Sequence, residues 1–213
     1  METARSIETD DSYRERFPGS ERERLATLRR YEVLDTPPEE RFDRITRLAA
    51  HLFEAPVAQI TLVDTDRQWA KSTVGVDRAA AECARENSWC ARVIETPGVE
   101  VVEDVAQDAR FAGSRFATES HRARFYAAAP LTTAGGMRLG TLCVFDTQPR
   151  PAVSNEKKVL LRDLAATVVD ELELRRSLED TRAAEQALHA SEQKYARLFE
   201  SANDAILIFE PKE

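Results

Sequence analysis

The chain has little of what marks secretion, membrane insertion or nucleic-acid binding. Its 213 residues include only three cysteines, Cys83, Cys90 and Cys143, and none forms a C-x-x-C pair. An odd number without that spacing argues against a disulfide framework. No apolar run approaches the roughly 20 residues that would span a bilayer, so no membrane contact is expected. The N-terminal stretch METARSIETDDSYRERF lacks the apolar core of a signal peptide. These absences together point to a reduced, cytoplasmic chain. A formal net charge of -8 with a pI near 5.1 leaves no clustered basic face, which excludes nucleic acid as the expected partner. Catalytic sets are missing as well. The three histidines, His51, His121 and His189, lie on separate predicted elements, and no Ser-His-Asp set, metal-ligand cluster, carboxylate pair or P-loop stands at a telling spacing. No enzymatic activity and no metal are expected in this segment.

What is present is enough apolar residue, 42% of the chain, to build a core. Residues 1–19 are polar and end in Pro18-Gly19, which reads as a flexible lead. Two helices follow, each opening on a capping box in which a hydroxyl and a glutamate three residues on satisfy free N–H groups reciprocally: Ser20 with Glu23, and Thr36 with Glu39. Pro37 suits the first position of the second helix, predicted over about 37–53, and Phe42, Ile45, Ala49 and Leu52 recur on one face of it.

β-Rich runs on either side of Asp64-Thr65-Asp66 predict an antiparallel hairpin over 56–77. Residues 78–96 are Ala-rich and helix-prone around Asn87-Ser88, and VEVVEDV from Val99 supplies a short strand. A second hairpin, RFYAAAPLTTAGGMRLGTLCVFDTQPR, turns at Gly135-Gly136. In its first arm Ala127 and Ala129 share one face while Ala128 lies on the other, so both faces lose bulk. In its second arm Leu139, Cys143 and Phe145 are expected on one face and Leu142 and Val144 on the other, which requires cover on both sides. The fold class is therefore α+β: an antiparallel sheet of about five or six strands, terminal helices on one face and the 78–120 segment on the other.

From Ser154 no glycine or proline interrupts the chain until Pro211, and a long helix is predicted with two apolar stripes. Leu161, Ala165, Val168 and Leu172 face the domain, and that stripe ends where its positions become Arg175 and Glu179. A second seam at 4-3 spacing runs through Leu160, Leu164, Leu174, Leu178 and Leu188 and outlasts the first. A seam that continues past the domain needs a partner, and a parallel second copy is the simplest.

The order and spacing of RLATLRRYEVLDTPPEERFDRITRLAAHLF, LVDTDRQWAKSTVG, SWCARVI, VEDVAQDARF, RFYAAAPL and GTLCVFDTQPR resemble GAF domains of bacterial and archaeal sensor proteins. The resemblance covers about residues 21–174. It sets expected boundaries of 1–19 for the lead, 20–174 for the domain and 175–195 for a signalling coiled coil. Residues 196–213 resemble the truncated start of a PAS domain, so the chain is expected to be a piece of a longer sensor whose output is a histidine kinase or a cyclic-dinucleotide enzyme. The resemblance also implies a small-molecule pocket between the sheet and the 78–120 segment, with Trp69, Trp89, Cys90, Asp108, Arg110, Phe111 and Tyr126 as candidate ligand residues. For Asp108, Arg110 and Phe111 a loop latch competes with that role; for the two tryptophans, a place in the core. Cys90 at a helix start, with Cys83 seven residues earlier, raises a thiol-based redox switch or enzyme as an alternative, against inert buried thiols. Bilin-carrying relatives attach pigment through a Cys-His pair before the second hairpin; SHRARFYAAAP offers His121 and no cysteine, which argues against covalent bilin and leaves haem open. The cofactor is otherwise unknown. The competing functional class is a ligand-free dimerisation spacer.

Overall fold

The computed structural model describes residues 20–111 and 122–206, with side chains to residue 199. Helix α1 (Glu21–Arg30) opens on the capping box that the sequence predicts. Ser20 Oγ accepts from the Glu23 amide at 3.3 Å, and the Ser20 amide donates to the Glu23 carboxylate at 2.7 Å. In the same turn, the Glu21 carboxylate accepts from Arg24 Nε and Nη2 at 2.7 Å and also from Arg85. Burial pushes the Glu21 carboxyl up, but the two guanidinium groups outweigh it and hold the group at about 2, below its ordinary 4.5. A depressed carboxylate stabilises the fold fully above its unfolded pKa, and that gain disappears as pH falls through the folded one. Glu21→Gln should therefore cost about 2 kcal/mol at neutral pH, after allowance for partial exposure. Urea titrations at neutral pH and near pH 2 check this, since the gap between variant and parent should close in acid.

Helix α2 (Glu40–Phe53) starts three residues later than expected, and Glu39, its N-cap, makes no side-chain capping bond. The cause is Lys71, whose side chain is fully buried. Its Nζ donates to Thr36 Oγ1 at 2.7 Å, to the Pro37 carbonyl at 2.9 Å and to the Glu39 carboxylate at 2.7 Å, and it lies over the Phe42 ring. A buried ammonium must fill its three donors. Thr36 and Glu39 accordingly serve the lysine instead of capping each other. The buried face of α2 is Phe42, Ile45, Thr46, Ala49, Ala50 and Phe53, with the predicted Leu52 half-buried at its edge.

The sheet has six strands, β1 (Val57–Val63), β2 (Arg67–Val74), β3 (Cys83–Ala84), β4 (Glu100–Val102), β5 (Phe125–Thr132) and β6 (Arg138–Asp146). Their order is β3-β2-β1-β6-β5-β4, with each neighbouring pair antiparallel. The helix-prone 78–96 segment is broken into α3 (Arg78–Ala81), strand β3, a 3-10 turn at Arg85–Asn87 and α4 (Trp89–Val93). Side chains fix those breaks. Gln68 Nε2 donates to the Ala81 carbonyl at 2.9 Å, Ser88 Oγ donates to Gln68 Oε1 at 2.6 Å, and the Ala91 amide donates to Ser88 Oγ at 2.9 Å. Side-chain hydrogen bonds of this kind, two of them reaching back to Gln68 on β2, outcompete helix propensity.

Two apolar clusters cover the two faces. One joins α1, α2 and the start of the last helix to Ile60, Leu62, Trp69, Ala127, Ala129, Leu142 and Val144. The other joins α4 and the loop after β4 to Val63, Tyr126, Ala128, Cys143 and Phe145. The alanines therefore separate as predicted: two lie beneath the terminal helices and one beneath the α4 side. Leu139 departs from expectation, packing with Leu142 and Val144 and not with Cys143. The β5–β6 register shifts between Pro130 and Thr132, and an extra residue in a strand turns the following side chain to the other face.

Helix α5 (Asn155–Ile206) is 52 residues long and continues past 195, where the coil was expected to end. Its first part buries Leu161, Ala165, Val168 and Leu172, each no more than 2% exposed. The compact domain ends at Glu173, and residues from Leu174 onward form a separate unit. In that unit Leu174, Leu178 and Leu188 are 51%, 41% and 62% exposed, while Arg175 and Glu179 pair along the helix. Within the domain, Leu160 is exposed and Leu164 half-buried. No helix among the described residues is long and apolar enough to cross a membrane.

Candidate functional site: a small cavity lined by the cysteines

Four of the seven predicted ligand residues meet on the α4 side of the sheet. The short helix α4 carries Trp89 and Cys90 over β5 and β6, and Phe111 reaches them from the loop after β4. The Trp89 ring stands edge-on to Phe111 at 5.2 Å and to Tyr126 at 5.1 Å, near-perpendicular arrangements favoured by the ring quadrupoles. These rings fill the space that a pocket would need. The remaining cavity, which reaches Gln59, Asn87, Trp89, Cys90, Tyr126 and Cys143, measures about 10 Å³. That is the room one water molecule requires.

The other three candidates lie elsewhere. Trp69 is on the opposite face, in the cluster beneath the terminal helices, with the Arg78 guanidinium over its ring. Asp108 and Arg110 form the loop latch: Asp108 Oδ1 accepts from the Arg110 amide at 2.9 Å, and Arg110 Nη2 bonds Asp108 Oδ2 and Glu100 Oε1, both at 2.7 Å. The Arg110 hydrogen bond holds the Asp108 carboxyl below the usual carboxylate range. Asp108 lines an open outer groove of about 720 Å³ with Asp104, Gln107 and Arg150. His121 lies outside the described residues, as do residues 112–120.

All three cysteines line the small cavity, an arrangement that the predicted Cys83–Cys90 pair does not describe. Cys90 Sγ is 4.0 Å from Cys143 Sγ and 3.5 Å from the Tyr126 hydroxyl. Beside them Thr61 Oγ1 and Thr141 Oγ1 are 3.2 Å apart. The Cys143 thiol draws the Cys90 thiol down most strongly. Burial opposes it, and the Thr141, Thr61 and Tyr126 hydroxyls add to the lowering, so the Cys90 thiol lies below its ordinary range. The hydrogen bond with Cys90 and burial push the Cys143 thiol well up, as burial pushes up Tyr126. The two thiols titrate as a coupled pair, and a thiolate on one of them disfavours a second beside it. Cys83 is half-buried, and burial raises it to about 11. Residue spacing hides the Cys90–Cys143 contact because the two are brought together by helix-on-sheet packing; the only sign in the sequence is the inward parity of Cys143 on β6. Among the described residues no group of three or more His, Cys, Asp and Glu side chains could hold a metal ion.

A six-stranded antiparallel sheet between terminal helices and a short-helix segment, with a long helix leaving the domain, defines an α+β sensory-type module. The chain belongs to the GAF domain family, whose profile matches residues 37–172. Three solved structures share the fold. The GAF domain of a phosphoenolpyruvate-protein phosphotransferase from Coxiella burnetii is 15% identical, over 74% of this chain and 96% of that one, with a TM-score of 0.57. Its Acinetobacter counterpart is 18% identical, over 75% and 97%, at 0.54. A domain assigned to a two-component sensor histidine kinase of Sinorhizobium meliloti is 16% identical, over 68% and 97%, at 0.52. Among curated proteins, a cyclic di-GMP phosphodiesterase of Pseudomonas aeruginosa is 34% identical over 161 residues, 76% of this chain. The chain spans 27% of that relative's length.

Proposed function

We propose that this GAF domain is the input module of a longer cytoplasmic signalling protein, and that it passes its state through α5 to an output domain. The observation that carries this reading is the seam of α5. Leu174, Leu178 and Leu188 stay exposed where the helix has left its domain. An apolar seam in water calls for a partner, and a parallel second copy supplies it without a new surface. Signal transfer then consists of a population shift between two packings of Leu161, Val168 and Leu172 against the sheet, which rotates the seam. The relative from Pseudomonas aeruginosa favours a cyclic-di-GMP-hydrolysing output; a histidine kinase, reached through a PAS domain beginning near residue 196, is the second candidate. The domain itself performs no catalysis in this reading.

The small size of the cavity, about 10 Å³, favours a second reading, a ligand-free dimerisation spacer. Native mass spectrometry of the full chain and of a chain ending at Arg175 separates the two. A spacer gives a bare dimer that becomes a monomer on truncation. A ligand sensor shows added mass that survives truncation. A full-length monomer at micromolar concentration would refute the parallel dimer in both. In the parent protein, inserting one or two residues near Ser177 should abolish regulation of the output while leaving the fold of the domain unchanged; unaltered regulation would count against transfer through α5.

A further inference from the structure

We propose that Cys90 and Cys143 form an intramolecular disulfide when a hydroperoxide reaches the cavity beside them. Three observations converge on this site. The two sulfurs are already 4.0 Å apart on facing elements. The small cavity beside the sulfurs is lined by the exposed Asn87 as well as by the buried Cys143, so a small oxidant needs only a local opening at the Asn87 end to reach them. Gln59, 1% exposed and on the same cavity wall, has an Nε2 donor with no hydrogen-bond partner. A buried donor without an acceptor is costly, and a peroxide oxygen is an acceptor of suitable size.

The chemistry balances on the two thiols and one hydroperoxide. Cys90, with its thiolate favoured by the Cys143, Thr141 and Thr61 donors, attacks one peroxide oxygen. The O–O bond breaks, the departing oxygen takes the proton that Cys90 gave up and leaves as water (for hydrogen peroxide), and Cys90 becomes a sulfenic acid. Cys143 Sγ then attacks the Cys90 sulfur, and its proton leaves with the displaced hydroxyl as a second water. Two thiols lose two electrons and the peroxide gains them. Bond formation needs the sulfurs to close from 4.0 Å to about 2.05 Å, a total approach of roughly 2 Å. The five-residue helix α4 is the element free to supply most of it, because β6 is paired on both edges. Cys83 takes no part. The inference stands whether or not α5 carries a signal.

The test treats the full chain with hydrogen peroxide at neutral pH, unfolds it in denaturant with iodoacetamide, and maps the products by mass spectrometry. The untreated chain should take three carbamidomethyl groups, one on each cysteine. The treated chain should take one, on Cys83, with the Cys90 and Cys143 peptides joined and released by dithiothreitol. Cys83→Ala should behave like the parent, and Cys143→Ala should stop at a dimedone-reactive sulfenic acid on Cys90. Should Cys143→Ala fail to fold, the peptide map of the parent decides alone. Three alkylated thiols after treatment, a disulfide containing Cys83, a chain-to-chain disulfide, or a sulfinic acid on Cys90 with Cys143 still free would each overturn the proposal.

Discussion

Gly140→Ala should destabilise the domain by more than about 3 kcal/mol, lowering the melting temperature by roughly 6–12 °C. Gly140 lies on β6 directly opposite Leu62 of β1, in the middle of the sheet. A Cβ built there would fall 1.9 Å from the Thr61 carbonyl oxygen and 2.8 Å from Leu62 Cα. Both obstacles are backbone, so no rotamer change relieves them. Either β1 and β6 separate, with loss of ladder hydrogen bonds beside Thr61 and Thr141, or the extra residue that turns Leu139 is expelled and the leucine swings towards the wrong face. The second route would bury nothing useful in its place. Gly135→Ala is the matched control, because its Cβ would find only Thr133 Oγ1 at 3.9 Å and no positive φ is involved. That variant should stay within about 0.5 kcal/mol of the parent. Denaturant unfolding of both variants checks the pair, and an undiminished Gly140→Ala would mean that the two strands can part at little cost.

That same glycine shows where sequence reasoning reaches and where it stops. Period-two alternation is enough to place Ala127, Ala129 and Ala128 on their faces, and helical spacing is enough to find Leu161, Ala165, Val168 and Leu172, because each pattern repeats over several residues and is decided by burial. Leu139 escapes because one extra residue inverts parity without changing composition. The start of α2 escapes for a different reason: Thr36 and Glu39 have the right types and spacing for a capping box, and only the three-dimensional approach of Lys71 from β2 diverts them. The 78–96 segment looks helical from its alanines, yet Gln68, which lies on β2 before the segment begins, ends its first helix at Ala81 and dictates the next break through Ser88. Among the candidate ligand residues, Trp89 and Cys90 are adjacent on α4, whereas Phe111 and Tyr126 join them only through packing across the sheet face. Trp69 could not be assigned without knowing the extra β2 residue, Lys71, opposite Ile60 and Thr61. Cys143 could be placed on the inner face but not beside Cys90, since nothing local records how a short helix lies across a strand.

Trp89→Ala should cost about 3–5 kcal/mol, the range for removing a large buried aromatic side chain. Trp89 is 4% exposed and is the ring that both Phe111 and Tyr126 meet edge-on. Phe111 and Tyr126 are themselves 6.1 Å apart and tilted, so they cannot close over the gap without giving up those geometries. The void would join the cavity already present beside Cys90 and Cys143, enlarging it from the size of one water to that of a small aromatic molecule. Two readouts follow. Urea unfolding should show the stability loss with little change in the slope, because the same surface is exposed on unfolding. Native-state alkylation of Cys90 should accelerate by about 100-fold for each 3 kcal/mol lost if reaction requires this face to open, since every 1.4 kcal/mol is a factor of ten. A stability loss without faster alkylation would place the opening that admits reagents elsewhere, at the Asn87 end of the cavity. Alkylation that accelerates without a stability loss would show that the aromatic trio acts as a plug over the thiols and contributes little to the core, which is what a domain that must occasionally admit a ligand or oxidant would require of it.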